Sequence, residues 1–176
     1  MLQTDIINLH NVYQNSTNYY TKKGRGKTGY IYFSGNGLYY PNTDDEFERV
    51  ILKANHYEWE NLAISPNNYS KIMFVRDVKK TWYVDGINSV HNSIEAVSEL
   101  ILKEFSGIGD IVCIGNSAGG YAATLFGLLT GAKRIFSISG YFRITPEMVL
   151  DPSNPLLYEA SKLASKVKWF DLEPLL

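Results

Sequence analysis

Four short runs are rich in β-branched and aromatic residues and show no regular polar alternation: Tyr30-Ile31-Tyr32-Phe33, Ile72-Met73-Phe74-Val75, Ile111-Val112-Cys113-Ile114 and Arg134-Ile135-Phe136-Ser137-Ile138. Each is followed by turn-forming residues, the pattern of strands covered on both faces of a parallel sheet. Between them the apolar spacing lengthens to three and four. Thr43-Asp44-Asp45-Glu46 has capping-box spacing and precedes Phe47, Val50, Ile51 and Ala54, which predicts a helix starting there. After Gly86, residues Ile87, Val90, Ile94, Val97, Ile101 and Phe105 recur at helical intervals up to Ser106-Gly107, predicting a second. A third is predicted from Ser117 to Thr130-Gly131, opening with Ala118, Gly119, Gly120, Ala122 and Ala123, small enough to approach a sheet closely. Strand and helix alternate, so the expected fold is α/β with a parallel sheet. No repeat or low-complexity linker divides the chain, and residues 1–176 read as one domain.

Composition narrows the function classes. With 45% hydrophobic residues in 176, the chain can bury a real core. Its 17 basic and 18 acidic side chains leave a net charge of -1, which gives no electrostatic case for nucleic acid or an anionic membrane as partner. The single cysteine, Cys113, sits inside an apolar strand run and reads as a buried thiol in a reducing compartment. Met-Leu-Gln-Thr-Asp-Ile-Ile-Asn at the N-terminus lacks the pattern of a signal peptide. No apolar run reaches the roughly 18 residues of a membrane span, so a cytoplasmic location without a membrane span is expected.

Three stretches invite a chemical reading. Gly24-Arg25-Gly26-Lys27-Thr28-Gly29 has the glycine spacing of a dinucleotide turn, but it enters a strand rather than leaving one for a helix, so no phosphate site is expected. Asp44, Asp45, Glu46 and Glu48 read as the solvated start of a helix, favoured by its dipole, and no metal site is expected. Gly115-Asn116-Ser117-Ala118-Gly119 carries the pattern Gly-x-Ser-x-Gly with an apolar strand before it and a helix after it. That is the setting of a nucleophile elbow, in which a strained turn lifts a serine hydroxyl above the sheet. The alternative is that Ser117 only caps the helix with its side-chain oxygen.

An attacking serine needs backbone N–H donors for the oxyanion. The residue after it, Ala118, supplies one, and the glycine-rich loop Ser34-Gly35-Asn36-Gly37 supplies the other, through Gly35. It also needs a base, usually a histidine that follows the serine and a carboxylate. No histidine follows Ser117: His10, His56 and His91 all precede it and read as structural. The simplest expectation is that these residues are the N-terminal portion of a longer enzyme.

The run from Phe74-Val75-Arg76-Asp77, through Trp82-Tyr83 and Gly86-Ile87, to Gly115-Asn116-Ser117-Ala118-Gly119-Gly120-Tyr121-Ala122-Ala123 and Ser139-Gly140-Tyr141 resembles the α/β-hydrolase superfamily. More narrowly, residues 28–176 resemble hydrolase-fold proteins of bacterial capsule and surface-polysaccharide clusters, including capsular polysaccharide O-acetyltransferases of the meningococcal serogroup A type. The resemblance implies a three-layer sandwich whose mostly parallel sheet stops short of its C-terminal strands. It also implies that Ser117 takes an acetyl group from acetyl-CoA and passes it to a sugar hydroxyl, with no bound cofactor or metal. Only Ser117 of the triad is carried over. The acid and histidine lie further along in the family, and Asp171 precedes the expected acid-bearing strand. Tyr39, Tyr40, Trp82 and Tyr83 are candidates for stacking on sugar rings or for packing the core margin. A truncated sheet edge would favour dimerisation. The other readings are an esterase or deacetylase of the same fold, and a non-catalytic saccharide-binding or interaction domain.

Overall fold

The computed structural model describes residues 6–61, 68–152 and 154–176, so the start of the N-terminal stretch lies outside the described residues. The elements run α1 (Leu9–Asn15), β1 (Tyr19–Lys23), β2 (Thr28–Phe33), α2 (Asp44–Phe47, continued by a π-helical stretch over Glu48–Lys53) and β3 (Tyr69–Val75). They continue with α3 (Ile94–Glu104), β4 (Asp110–Asn116), α4 (Ala118–Thr130) and β5 (Arg134–Ile138). Three short helices close the chain, α5 (Pro146–Val149), α6 (Pro155–Ser161) and α7 (Ala164–Val167), with a 3-10 turn at Glu173–Leu175.

The strands form one sheet in the order β1-β3-β2-β4-β5. All four predicted strands are present and mutually parallel. The fifth, β1, was not anticipated; it pairs antiparallel with β3 at the sheet edge. Its Lys22 and Lys23 lie exposed there, the polar composition by which edge strands resist further pairing.

Alternation along the central strands divides the core. Ile31, Phe33, Met73, Val75 and Cys113 turn to the face covered by α3 and α4. Tyr32, Ile72 and Phe74 turn to the other, where Tyr57 and Trp59 pack on them and Tyr20 and Tyr32 stack on Phe74 at 5.0 and 5.3 Å. Cys113 is fully buried, as expected, and burial pushes its thiol up to about 12. At β5 the cover fails: Phe136 is 51% and Ile138 48% exposed.

Two helices differ from the periodicity. Thr43 does cap α2, accepting from the Glu46 N–H at 3.3 Å, but the Glu46 carboxylate bonds Arg49 instead of returning to the cap. The second predicted helix starts at Ile94, not near Ile87, with Ser93 as its cap. The preceding segment is consumed by a loop wound around one carboxylate. Asp77, 4% exposed, accepts from the N–H groups of Lys79 (2.9 Å), Thr81 (2.7 Å) and Tyr83 (2.9 Å). Those bonds hold Lys80, Trp82 and Tyr83 at φ 53, 59 and 63°, backbone that non-glycine residues rarely adopt. Lys80 is buried too, its amine 3.5 Å from the centre of the Tyr39 ring and 2.5 Å from Asn42 Oδ1, and burial pulls it down to about 7.

Burial pushes the Asp77 carboxyl up to about 6, with Asp85 adding repulsion against the three N–H donors. The folded chain therefore keeps this proton to a higher pH than the unfolded one, whose carboxyl titrates near 3.8. Asp77 contributes stability below about pH 4 that is lost as pH rises through about 6. In urea titrations, wild type should lose roughly 2–3 kcal/mol relative to Asp77→Asn across that window. A difference that stays constant with pH would refute this.

Candidate active site

Ser117 stands between the last residue of β4 and the first of α4 at φ 54° and ψ −121°. A serine there stores strain on the order of 1–3 kcal/mol, which surrounding structure must hold. The hold is backbone against backbone. A Cβ at Gly115 would lie 2.0 Å from the Gly119 carbonyl oxygen, and one at Gly119 would lie 2.2 Å from the Phe33 carbonyl oxygen. Hydrogen bonds complete it: the Ser117 N–H donates to Ile138 O at 2.9 Å, and Ser117 O accepts from the Tyr121 N–H at 3.1 Å. The side chain makes no capping bond to α4, so the helix-cap alternative does not describe this serine.

Both residues expected to supply oxyanion donors lie beside this turn. Ala118 opens α4, where first-turn amides have no intrahelical acceptor. Gly35 follows β2, and the register that pairs Phe33 with Gly115 brings the ends of β2 and β4 level. A Cβ at Gly35 would lie 2.9 Å from Asn116 O and 3.7 Å from Ser117 Cβ. The loop is fixed from three sides. Tyr83 donates its hydroxyl to Ser34 O at 2.8 Å, Trp59 Nε1 donates to Phe33 O at 2.9 Å, and the Glu58 N–H donates to Ser34 Oγ at 3.3 Å. The Gly35 N–H itself donates to Glu58 Oε2 at 2.5 Å. Glu58, on the turn after the π-helical stretch, was not singled out by the sequence.

The aromatic candidates divide. Tyr39 and Tyr83 are fully buried and Trp82 is 7% exposed, so these three pack the core margin; Tyr40 is 76% exposed. Trp82 meets Tyr121 and Tyr141 edge-on at 5.7 and 5.9 Å. Tyr141, half-exposed just beyond Gly140, is an aromatic not among the four stacking candidates.

None of the other candidates joins Ser117. His56 Nδ1 lies 2.8 Å from Glu60 Oε1, and His91 Nδ1 lies 3.2 Å from Asn88 Oδ1 with its ring edge-on to Tyr19. His10 is exposed on α1, and Asp171 pairs with Arg143 at 2.5 Å. The amides of Gly24 and Gly26 donate to Ser70 O and Tyr69 O, so both are engaged by the neighbouring backbone. Asp44 accepts from the Ile7 N–H, while Glu46 and Glu48 pair with Arg49 and Lys53. Among the described residues no cluster of three or more metal-ligating side chains occurs, and no helix is long and apolar enough to cross a membrane. No protein-family model, curated protein or solved structure matches the chain.

Substitutions test the backbone account. Gly119→Ala should destabilise by about 1–3 kcal/mol despite the better helix propensity of alanine, because its Cβ meets a carbonyl that cannot retreat. Gly37→Ala, with open space around it, should stay within about 0.5 kcal/mol of wild type. Ser117→Gly should be more stable than Ser117→Ala by about 1 kcal/mol, since glycine adopts the strained φ freely. Urea denaturation of these four variants beside wild type decides all three, and equal midpoints would sink the account.

Proposed function

We propose that the chain carries the nucleophile of a serine acyltransferase of the α/β-hydrolase type, whose acceptor is a hydroxyl of a capsular or surface polysaccharide. One observation carries this reading: Ser117 is held in left-handed backbone at the end of a central parallel strand, with no capping role for its hydroxyl. The proximity of Gly35 and Ala118 supports it, because those are the two positions from which oxyanion N–H groups are drawn in this fold. The resemblance of the elbow and of the Arg76-Asp77 and Trp82-Tyr83 segments supplies the substrate class.

In this reading Ser117 Oγ attacks the carbonyl carbon of an acetyl thioester, acetyl-CoA, while a base removes its proton. The oxyanion is stabilised by N–H donors of Ala118 and Gly35. Collapse of the tetrahedral adduct breaks the C–S bond, the thiolate leaves and takes up a proton, and the acetyl group stays on Ser117 as an ester. A sugar hydroxyl then attacks that ester, passes its proton to the base and restores the serine. His56 and His91 are engaged with Glu60 and Asn88, and in the family that this chain resembles the base follows the serine in sequence. Tyr141 and Phe142, both 51% exposed, border a concavity of about 540 Å³ lined also by Arg143, Thr145 and Asp171, a surface suited to stacking on an acceptor ring. With an oxygen ester as donor, its alcohol as leaving group and water as acceptor, the same two-stage route makes an esterase.

A second reading, a non-catalytic saccharide-binding domain, is favoured by the engagement of the Gly35 N–H with Glu58. Intact-mass labelling of the natural full-length gene product with a fluorophosphonate separates the two. One adduct in wild type and none in Ser117→Ala is the expected outcome. An unlabelled wild type would favour the binding domain.

A further inference from the structure

An oxyanion site is recognised by a negatively charged oxygen held at hydrogen-bond distance from a backbone N–H beside the nucleophile. A side chain of the protein supplies such an oxygen here. Glu58 Oε2 lies 2.5 Å from the Gly35 nitrogen, and the Cβ position of Gly35 is 3.4 Å from this oxygen and 3.7 Å from Ser117 Cβ. A carboxylate on an N–H is a charge-assisted bond, about twice as strong as a neutral one.

We infer that Glu58 is an internal occupant of the oxyanion site, holding the Gly35 N–H until the oxygen of an incoming acyl group displaces it. This rests on reading Ser117 as the nucleophile. The geometry allows displacement without unfolding. The main chain of Glu58 is anchored separately, through its own N–H on Ser34 Oγ, and the neighbouring indole of Trp59 is anchored on Phe33 O. Glu58 is only partly buried, so its carboxylate can rotate toward water while the turn stays in place. On the far side of that turn Glu60 is held by His56, by the Tyr57 N–H and by the Tyr20 hydroxyl, so the support does not depend on Glu58.

The consequence is selective. A neutral ground-state carbonyl competes poorly with a carboxylate for one N–H, whereas the oxyanion of the transition state competes as an equal. Glu58 therefore slows acylation by weakly activated esters and leaves strongly activated acyl groups the better substrates. A role as the base for Ser117 is a different matter, since a base must bond the serine hydroxyl, and the bonded partner of this carboxylate is Gly35.

The test measures the rate of fluorophosphonate labelling at Ser117 in the full-length gene product, in wild type, Glu58→Gln and Glu58→Ala. The chemical shift of the Gly35 amide proton is followed alongside to verify the contact and the fold. Freeing one oxyanion donor should speed labelling by about tenfold or more, within the roughly 10²–10³-fold that such a donor contributes. The order should be alanine, glutamine, wild type, and the Gly35 proton should move upfield in both variants. Unchanged labelling, or a Gly35 proton that does not move, overturns the inference. Slower labelling overturns it too and makes Glu58 the base. If none of the three proteins is labelled, the reading of Ser117 fails first and the inference falls with it.

Discussion

The first turn of α4 lies against the end of β2 so closely that no side chain fits between Gly119 and the Phe33 carbonyl. From that contact the rest of the candidate site follows. It forces the chain to turn sharply at Ser117, and it sets the end of β4 beside the end of β2. It also aligns Gly35 with the serine. The strain at Ser117 persists because the backbone on both sides has nowhere to relax, which is how strained residues survive in folded proteins.

Around this packed centre the loops are shaped by polar contacts. A single carboxylate, Asp77, organises residues 77–83 through three N–H bonds and thereby delivers the Tyr83 hydroxyl to Ser34. Lys80 O accepts from Asn36 and Asn154 side chains, tying the loop after β2 to the approach of α6. The loop that presents Gly35 is therefore shaped by groups from three separate stretches of sequence. Rigidity of that kind is what a preorganised donor requires, since an N–H that had to be oriented during reaction would contribute less.

Much of this was legible in the order of residues, for reasons that differ from place to place. Runs such as Ile72–Val75 announce buried strands because covering both faces removes the need for alternation. The Gly-x-Ser-x-Gly spacing announces the elbow because only glycine fits where the strand, turn and helix backbones touch. β1 escaped notice because an edge strand keeps lysines and so looks less like a strand. Ile87 and Val90 fit a helical period but belong to the loop closed by Gly86, where Ile87 is buried and Val90 is 75% exposed. The partnership of Glu58 with Gly35 had no local signal, since it joins residues 23 positions apart through a turn whose path depends on Trp59 and Tyr57 finding the sheet. Tyr39 and Tyr83 looked equally suited to surface and core; their hydroxyls, satisfied by the carbonyls of Val78 and Ser34, decide for the core.

The bond from the Ser117 N–H to Ile138 O reaches across to the least covered strand of the sheet. One side of the elbow is thus clamped by dense interior packing and the other by a margin whose apolar side chains meet water. Local opening in folded proteins concentrates where few apolar contacts are buried. The turn accordingly has a stiff shoulder and a compliant one, and anything that lay along β5 would act on the serine as a brace, changing its mobility without touching it.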